Sequence, residues 1–407
     1  MKRLVCILAV LMLALPAWGA KKITVQQLND LLVSLQQDRK TDAEVATDLK
    51  QVELTEELTR AAMNKMVASA PGQLTIEQIY VLEARSATLP PPASDMPATP
   101  VPDAAVQKAI LDKAVDYATK SYAQLPTLTA TKTTLRFQDN IKAIDACSGM
   151  VGCARESVDI SSFSHQASFI RYINSVDTPV ANQHGREFML SKKDNTPWGA
   201  NGMITLQESD PSLDVILREA HDSGSLQWLR WETVNGKRAA VYSFKMPYTN
   251  SQLGVDACCF PTSIQTGRAK FFNATTAAVV AEGEAPKEGV GGAVGNFQTI
   301  TVYDKRFKAT VPYHGEFFID PNTGIVVRLI LQAEFKASDV VQLEEKRIDY
   351  GPVMVNAKAL VLPVRTVINT VVAPYGDSGA ASFSTLRTLF TSEYKNYQLD
   401  SELSHLQ

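Results

Sequence analysis

Residues 313–366 constrain the fold of this chain more than any other stretch. A run ending in Phe317, Phe318, Ile319 and Asp320 meets Pro321, Asn322, Thr323 and Gly324, and apolar alternation resumes at Ile325. Pro presets one turn dihedral and Gly supplies the positive φ another needs, so these residues predict a tight hairpin loop. Beyond it Ile325, Val327, Leu329, Leu331, Ala333 and Phe335 share one face, and Arg328, Gln332 and Glu334 the other. Period-two alternation of this kind predicts an antiparallel sheet that is apolar on one side and wet on the other. Ile348, Asp349, Tyr350 and Gly351, then Leu362 and Pro363, extend it, and the expected sheet is strongly curved.

Other strands are predicted at 297–303, 313–319, 325–335, 341–350, 359–372 and 386–397. A second hairpin is expected upstream. Leu229, Trp231 and Thr233 alternate with Trp228, Arg230 and Glu232, then Asn235 and Gly236 form a two-residue turn needing positive φ, and Ala240, Tyr242, Phe244 and Met246 follow. A short helix over 211–221 precedes it, burying Leu213, Ile216, Leu217 and Ala220 and stopping near Gly224. The Gly-, Ala- and Glu-rich stretch 277–296 reads as a loop.

The N-terminal part has helical periodicity instead. Capping boxes are expected where Thr precedes Gln or Glu by three: Thr24 with Gln27, Thr41 with Glu44, and Thr75 with Gln78. Val25, Leu28, Leu31, Leu32 and Leu35 share a helical face, and Leu58, Ala62 and Met66 form a narrower stripe. Pro90, Pro91, Pro92, Pro97, Pro100 and Pro102 then mark a stiff extended linker, with a proline recognition motif as the alternative. Asp103 caps the next helix, over 104–123, which carries Val106, Ile110, Ala114 and Tyr117; Pro126 prevents its continuation. The expected class is α+β: a small helical domain at 21–86, a proline-rich linker at 87–103, and a curved antiparallel β half-barrel with packed helices at 104–407.

Residues 1–20 begin with Lys2 and Arg3, continue through an apolar run, and end in the small residues Ala17, Gly19 and Ala20, the pattern of a secretory signal peptide. The run is short for a bilayer span, a retained anchor being the alternative. The expected location is the periplasm or the exterior, with no transmembrane span after processing. With a net charge of -3 and both signs dispersed, nucleic acid is not an expected partner. Cys147, Cys153, Cys258 and Cys259 are disulfide candidates in an exported chain. A Cys147 to Cys153 bridge would close a glycine-bearing loop and contribute about 2 kcal/mol; adjacent Cys258 and Cys259 could pair vicinally, and all three connectivities stay open.

Catalytic patterns are missing from the sequence. His165, His184, His221, His314 and His405 stand singly, no nucleophile elbow occurs, and residues 376–379 lack its spacing. Neither His nor Cys falls at zinc-ligand spacings. The glycines at 289–295 are followed by strand-like residues rather than a helix, which argues against a phosphate loop. Residues 320–324 are explained by turn chemistry rather than calcium, and Glu344, Glu345 and Asp349 read as strand and surface features. No catalytic residue, metal site or cofactor is assigned.

Residues 313–328, the Ile348 to Val353 segment, Leu362 to Val364 and the closing strand at 390–397 together resemble a family of uncharacterised exported acidobacterial proteins. More distantly, the hairpin ending in Asp320, Pro321, Asn322, Thr323 and Gly324 is similar to that of the lipoprotein-carrier superfamily, the half-barrel proteins of LolA, LolB and RseB type. The resemblance runs from about Leu128 onward and leaves out the helical part. It implies a curved sheet around an apolar cavity that accepts an acyl chain or a peptide, through a general lining and no single contact residue. Leu229, Trp231, Tyr242, Phe244, Leu329 and Leu331 are the candidate ligand-lining residues. The leading reading is a non-enzymatic periplasmic binding or chaperone-like protein sheltering an apolar ligand, with a lipid, an acyl chain or an envelope protein as partner. The alternatives are an envelope interaction or stress-sensing module whose apolar face is filled by its own helices, and a hydrolase assembled from distant residues.

Overall fold

The computed structural model describes residues 20–139, 170–183, 185–190, 205–209, 211–271, 279–280, 296–372 and 386–400; for 205–209, 258–271, 279–280, 296–306 and 386 it describes the backbone alone. The expected signal peptide, Cys147 and Cys153 lie outside the described residues, as do His165, His184, His405 and nearly all of the expected loop at 277–296. The chain packs as two units, 1–92 and 93–407. The break falls within the proline-rich segment.

In the first unit helices α1 (Val25–Gln37), α2 (Asp42–Leu49), α3 (Arg60–Ala68) and α4 (Gln73–Ser86) bury Leu28, Leu32, Leu35, Leu49, Leu58, Met63, Met66 and Ile79 against one another. Thr24 and Thr41 form the expected capping boxes with Gln27 and Glu44. The third expected box does not form. α4 starts two residues before Thr75, at a Gly72 cap with no side chain, so its orphan amides turn to Asp42 on α2. Asp42 accepts from Leu74 N at 3.0 Å, Thr75 N at 2.9 Å and Thr75 Oγ1 at 2.6 Å. Two short parallel strands, β1 (Lys21–Ile23) and β2 (Val52–Leu54), correct the expectation of a purely helical unit. At three residues each they are too short to show a period.

The second unit opens with a 3-10 turn at Ala93–Asp95 and helix α5 (Ala104–Tyr117), capped by Asp103 and continued by a π turn at Ala118–Tyr122. The later prolines are not a free spacer. Pro100 O accepts from Trp231 Nε1 at 2.8 Å and Pro102 O from Gln107 Nε2 at 2.8 Å.

The strands that follow are β3 (Leu128–Gln138), β4 (Arg171–Gln183), β5 (Arg186–Met189) and β6 (Thr205–Ser209). Helix α6 (Leu213–Asp222) comes next, then β7 (Gln227–Val234), β8 (Lys237–Met246), β9 (Gly254–Phe271), β10 (Val279–Val280) and β11 (Asn296–Thr310). β12 (Tyr313–Ile319), β13 (Val326–Ala333), β14 (Val341–Val355), β15 (Lys358–Val372) and β16 (Leu386–Leu399) complete the chain. Ten of them form one open antiparallel sheet in the order β5-β4-β3-β16-β15-β14-β13-β12-β8-β7, and β6, β9, β10 and β11 form a second. The class is thus α+β with a large antiparallel sheet.

The C-terminal meander follows the predicted strands closely, because its turns carry their own chemistry. Asn235 and Gly236 have φ of 50° and 76° as their hairpin requires. Gly324 closes the next hairpin with φ of 77°, and the Lys113 carbonyl of α5 would lie 2.5 Å from any Cβ placed there. The resemblance implies a sheet from about Leu128 onward, but no bounds for β3 and β4 follow from the sequence. Thr129, Thr131, Lys132, Thr133 and Thr134 give β3 little apolar alternation, and its partner β16 lies about 250 residues away, so only tertiary pairing makes it a strand.

Candidate functional site

One face of the large sheet is covered by α5 and α6, and this is where the predicted lining residues go. Trp231, Tyr242, Phe244, Leu329 and Leu331 are buried in one core with Ile110 and Ala114 of α5 and Leu213, Ile216, Leu217 and Ala220 of α6. Edge-to-face rings add specificity to that packing: Trp228 sits 4.9 Å from Trp231 and 5.3 Å from Tyr242, ring centre to ring centre. Tyr242 also donates to Gln107 O of α5 at 2.9 Å, and burial pushes its phenol up. These five residues are occupied by the protein's own helices.

Leu229 departs from the expected alternation. A bulge between Trp228 and Arg230 shifts the register of β7 on β8, so Trp228 turns into the core and Leu229 is 44% exposed. Val327 departs likewise at the shift beside Ile319: it packs with Val234, Ala239, Val241, Phe318 and Ile330 on the other face. That other face is not simply wet. Arg328 donates to Asp349 at 2.7 Å, Arg347 lies 3.0 Å from the same carboxylate and Arg365 3.9 Å, and all four side chains are buried. Asp349 is a buried ionic hub rather than a surface feature. Burial opposes its charge, and the three guanidiniums outweigh that and hold the carboxyl well below its usual range.

A polar field shares the helix-covered face. Lys132, Thr134 and Arg136 of β3 stand at alternate positions, and register aligns them with Tyr394, Ser392 and Phe390 of β16. Lys132 Nζ lies 2.7 Å from Glu187 Oε1, Tyr394 donates to Glu187 Oε2 at 2.6 Å, and Thr366 meets the Tyr394 hydroxyl at 3.2 Å. Thr134 and Ser392 share a bond of 2.8 Å, and Arg136 Nε donates to Asn174 at 2.6 Å. Burial pushes the Glu187 carboxyl up, but Lys132 and Tyr394 outweigh it and the group is held below its ordinary range. Lys346, buried on the same face, is lowered to about 7 by burial and by the nearby Lys132 charge. Glu344, read from sequence as a surface residue, is buried here too. The sequence assigns none of Lys132, Arg136, Glu187 and Lys346 a role, because only the pairing of β3 with β16 and β4 brings them to one face.

At the end of the β4–β5 hairpin lies a cleft of about 440 Å³, lined by Ala123, Gln183, Arg186, Phe188, Ser212, Asp214, Val215 and Gln252. Gly185 makes the turn with φ of 74°, against the ring of Tyr122. Beside the cleft Phe188, Met189 and Leu190 are 49%, 46% and 49% exposed, the densest exposed apolar run on the described surface.

Among the described residues no group of His, Cys, Asp and Glu is arranged to hold a metal. His221 pairs with Asp222 at 3.3 Å and His314 with Glu334 at 3.1 Å, each at the surface. Cys258 stands opposite Thr205 on β9, with Cys259 next to it, both on a stretch where the backbone alone is described. Among the described residues no helix is long and apolar enough to cross a membrane. No family model, curated protein or solved structure matches the chain.

Proposed function

We propose that this is an exported, non-enzymatic binding protein of the cell envelope that takes a peptide or protein segment at the cleft between the β4–β5 hairpin and α6. The observation that carries the reading is the cleft itself, open, bounded by Arg186, Phe188 and Asp214, and flanked by exposed apolar side chains. Trp231, Tyr242, Phe244, Leu329 and Leu331 are enclosed by α5 and α6, which favours a guest at the hairpin over an acyl chain deep in the sheet. In this reading the sheet bends as a half-barrel around the two helices. The Lys132 to Glu187 contact supports such a bend: their register partners on β4, Thr178 and Asn182, are four residues apart, about 13 Å of extended strand.

The test is native mass spectrometry and solvent extraction of protein secreted through its own signal and purified without detergent. A co-purifying polypeptide, displaced in a Phe188→Asp variant, is the expected result. A co-purifying lipid insensitive to Phe188 would overturn the peptide reading, and turnover in an esterase and protease screen would overturn the non-enzymatic one.

A further inference from the structure

We infer that β5 binds its guest by strand addition, an extended polypeptide pairing with the open edge of the ten-stranded sheet; this rests on the binding reading above and specifies how the guest is held. Among the described residues β5 terminates the sheet; Arg186, Phe188 and Met189 are exposed, and Glu187 is exposed along its backbone while its carboxylate turns inward to Lys132. One contact sets the phase of its hydrogen bonding: Leu190 N donates to Pro179 O at 3.1 Å, toward β4. In an antiparallel pair, residues bonding inward alternate with residues bonding outward. Phe188, opposite Ala181, and Arg186, opposite Gln183, therefore bond to β4, while Glu187 and Met189 turn their N–H and C=O groups to the open side. Among the described residues no group takes them.

The two edges of the sheet differ in how they are protected. β7 carries the Leu229 bulge, Arg230 is engaged by Glu232 and Glu316 at 2.7 and 2.8 Å, and Trp231 is tied to Pro100. Bulges and edge charges are the usual means of disabling an edge. β5 has a regular register to β4, and beyond the charged Arg186 and Glu187 near its turn it exposes Phe188, Met189 and Leu190. Outward groups recurring every two residues, about 7 Å apart, match the repeat of an extended chain and of no other backbone.

The occupant is a separate peptide rather than a second copy. β5 spans four residues, about 13 Å, and pairing two such strands falls far short of the ~1,000 Å² that a stable dimer needs. A peptide laid on β5 can in addition place a side chain in the adjoining cleft, where Phe188 and Arg186 form one wall. In strand addition the main chain supplies affinity and such a pocket supplies selectivity.

The full chain is titrated against a fluorescein-labelled octapeptide of alternating Val and Thr, and against the same peptide N-methylated at every second residue, read by anisotropy. Binding of the first and at least tenfold weaker binding of the second is expected. Met189→Pro removes an outward N–H while sparing the inward bonds, and should weaken binding at least tenfold with the melting temperature unchanged; Met189→Ala, which keeps the N–H, should bind within threefold of the parent. Equal binding of both peptides, or binding unaffected by Met189→Pro, overturns strand addition while the binding reading stands. If Met189→Pro does not fold, the N-methyl comparison on the parent protein decides. A concentration-dependent dimer abolished by Met189→Pro would overturn the choice of occupant, and failure to capture any peptide by any method overturns both readings.

Discussion

Glu187 on the edge strand β5 and Lys132 on β3 meet at 2.7 Å although β4 lies between their strands. The pair holds the hairpin that forms the cleft, with Tyr394 donating to the second carboxylate oxygen at 2.6 Å. Both side chains are mostly buried, 20% and 32% exposed, so losing the carboxylate leaves a partly desolvated ammonium. Glu187→Gln is expected to cost about 1–2 kcal/mol in urea unfolding, and Lys132→Met in the same chain to recover part of it. The Glu187 carboxyl is held below its ordinary range, so its contribution is present above about pH 4.3, its unfolded value, and is lost as pH falls through the lower folded value. Stability measured from pH 6 down to pH 3 should fall less steeply in the Gln variant.

Lys346 gives the opposite limb. Its ammonium is lowered to about 7 in the folded chain against about 10.4 unfolded, so the unfolded state binds more protons between those values and stability should rise with pH across that window. Lys346→Met is expected to flatten that rise and to raise the melting temperature at pH 7. An unchanged alkaline slope in the variant would show that Lys346 is not the group responsible.

Asp42 caps a helix other than its own. Asp42→Ala should cost the first unit about 1–2 kcal/mol, the upper range for a lost cap, since three donors lose their acceptor. Gly72→Ala is expected to be damaging for a related reason: its Cβ would lie 2.6 Å from Asp42 Oδ2. Circular dichroism melts of the two variants and their combination check both, and the double variant should cost less than the sum.

Asp349→Asn tests the ionic hub on the other face of the sheet. Removing the charge leaves Arg328, Arg347 and Arg365 buried around a neutral amide, and a loss of about 3–5 kcal/mol is expected from denaturant unfolding. A loss under 1 kcal/mol would mean that these guanidiniums are held chiefly by other groups.

Local chemistry was legible from the sequence alone. Thr24 and Thr41 cap the helices they were expected to cap, Asn235 and Gly236 turn their hairpin, and the strands from β12 to β16 lie where period-two alternation put them, because each depends on residues within a few positions of one another. The candidate site was legible only in fragments. Trp231, Tyr242, Phe244, Leu329 and Leu331 were correctly seen to share an apolar surface, yet nothing local told that α5 and α6 would cover it. A single bulge sent Leu229 outward, since one added residue breaks the period of two and brings Trp228 and Trp231, three positions apart, to the same face. The Lys132, Glu187 and Tyr394 cluster and the Asp42 cap join residues 30 to more than 200 positions apart, and the place of β5 at the end of the sheet among the described residues is a property of strand order. Period and turn chemistry act over a few bonds and are written in the chain; which face is covered, which charge is buried and which strands neighbour one another follow from long-range packing, and only the tertiary structure decides them.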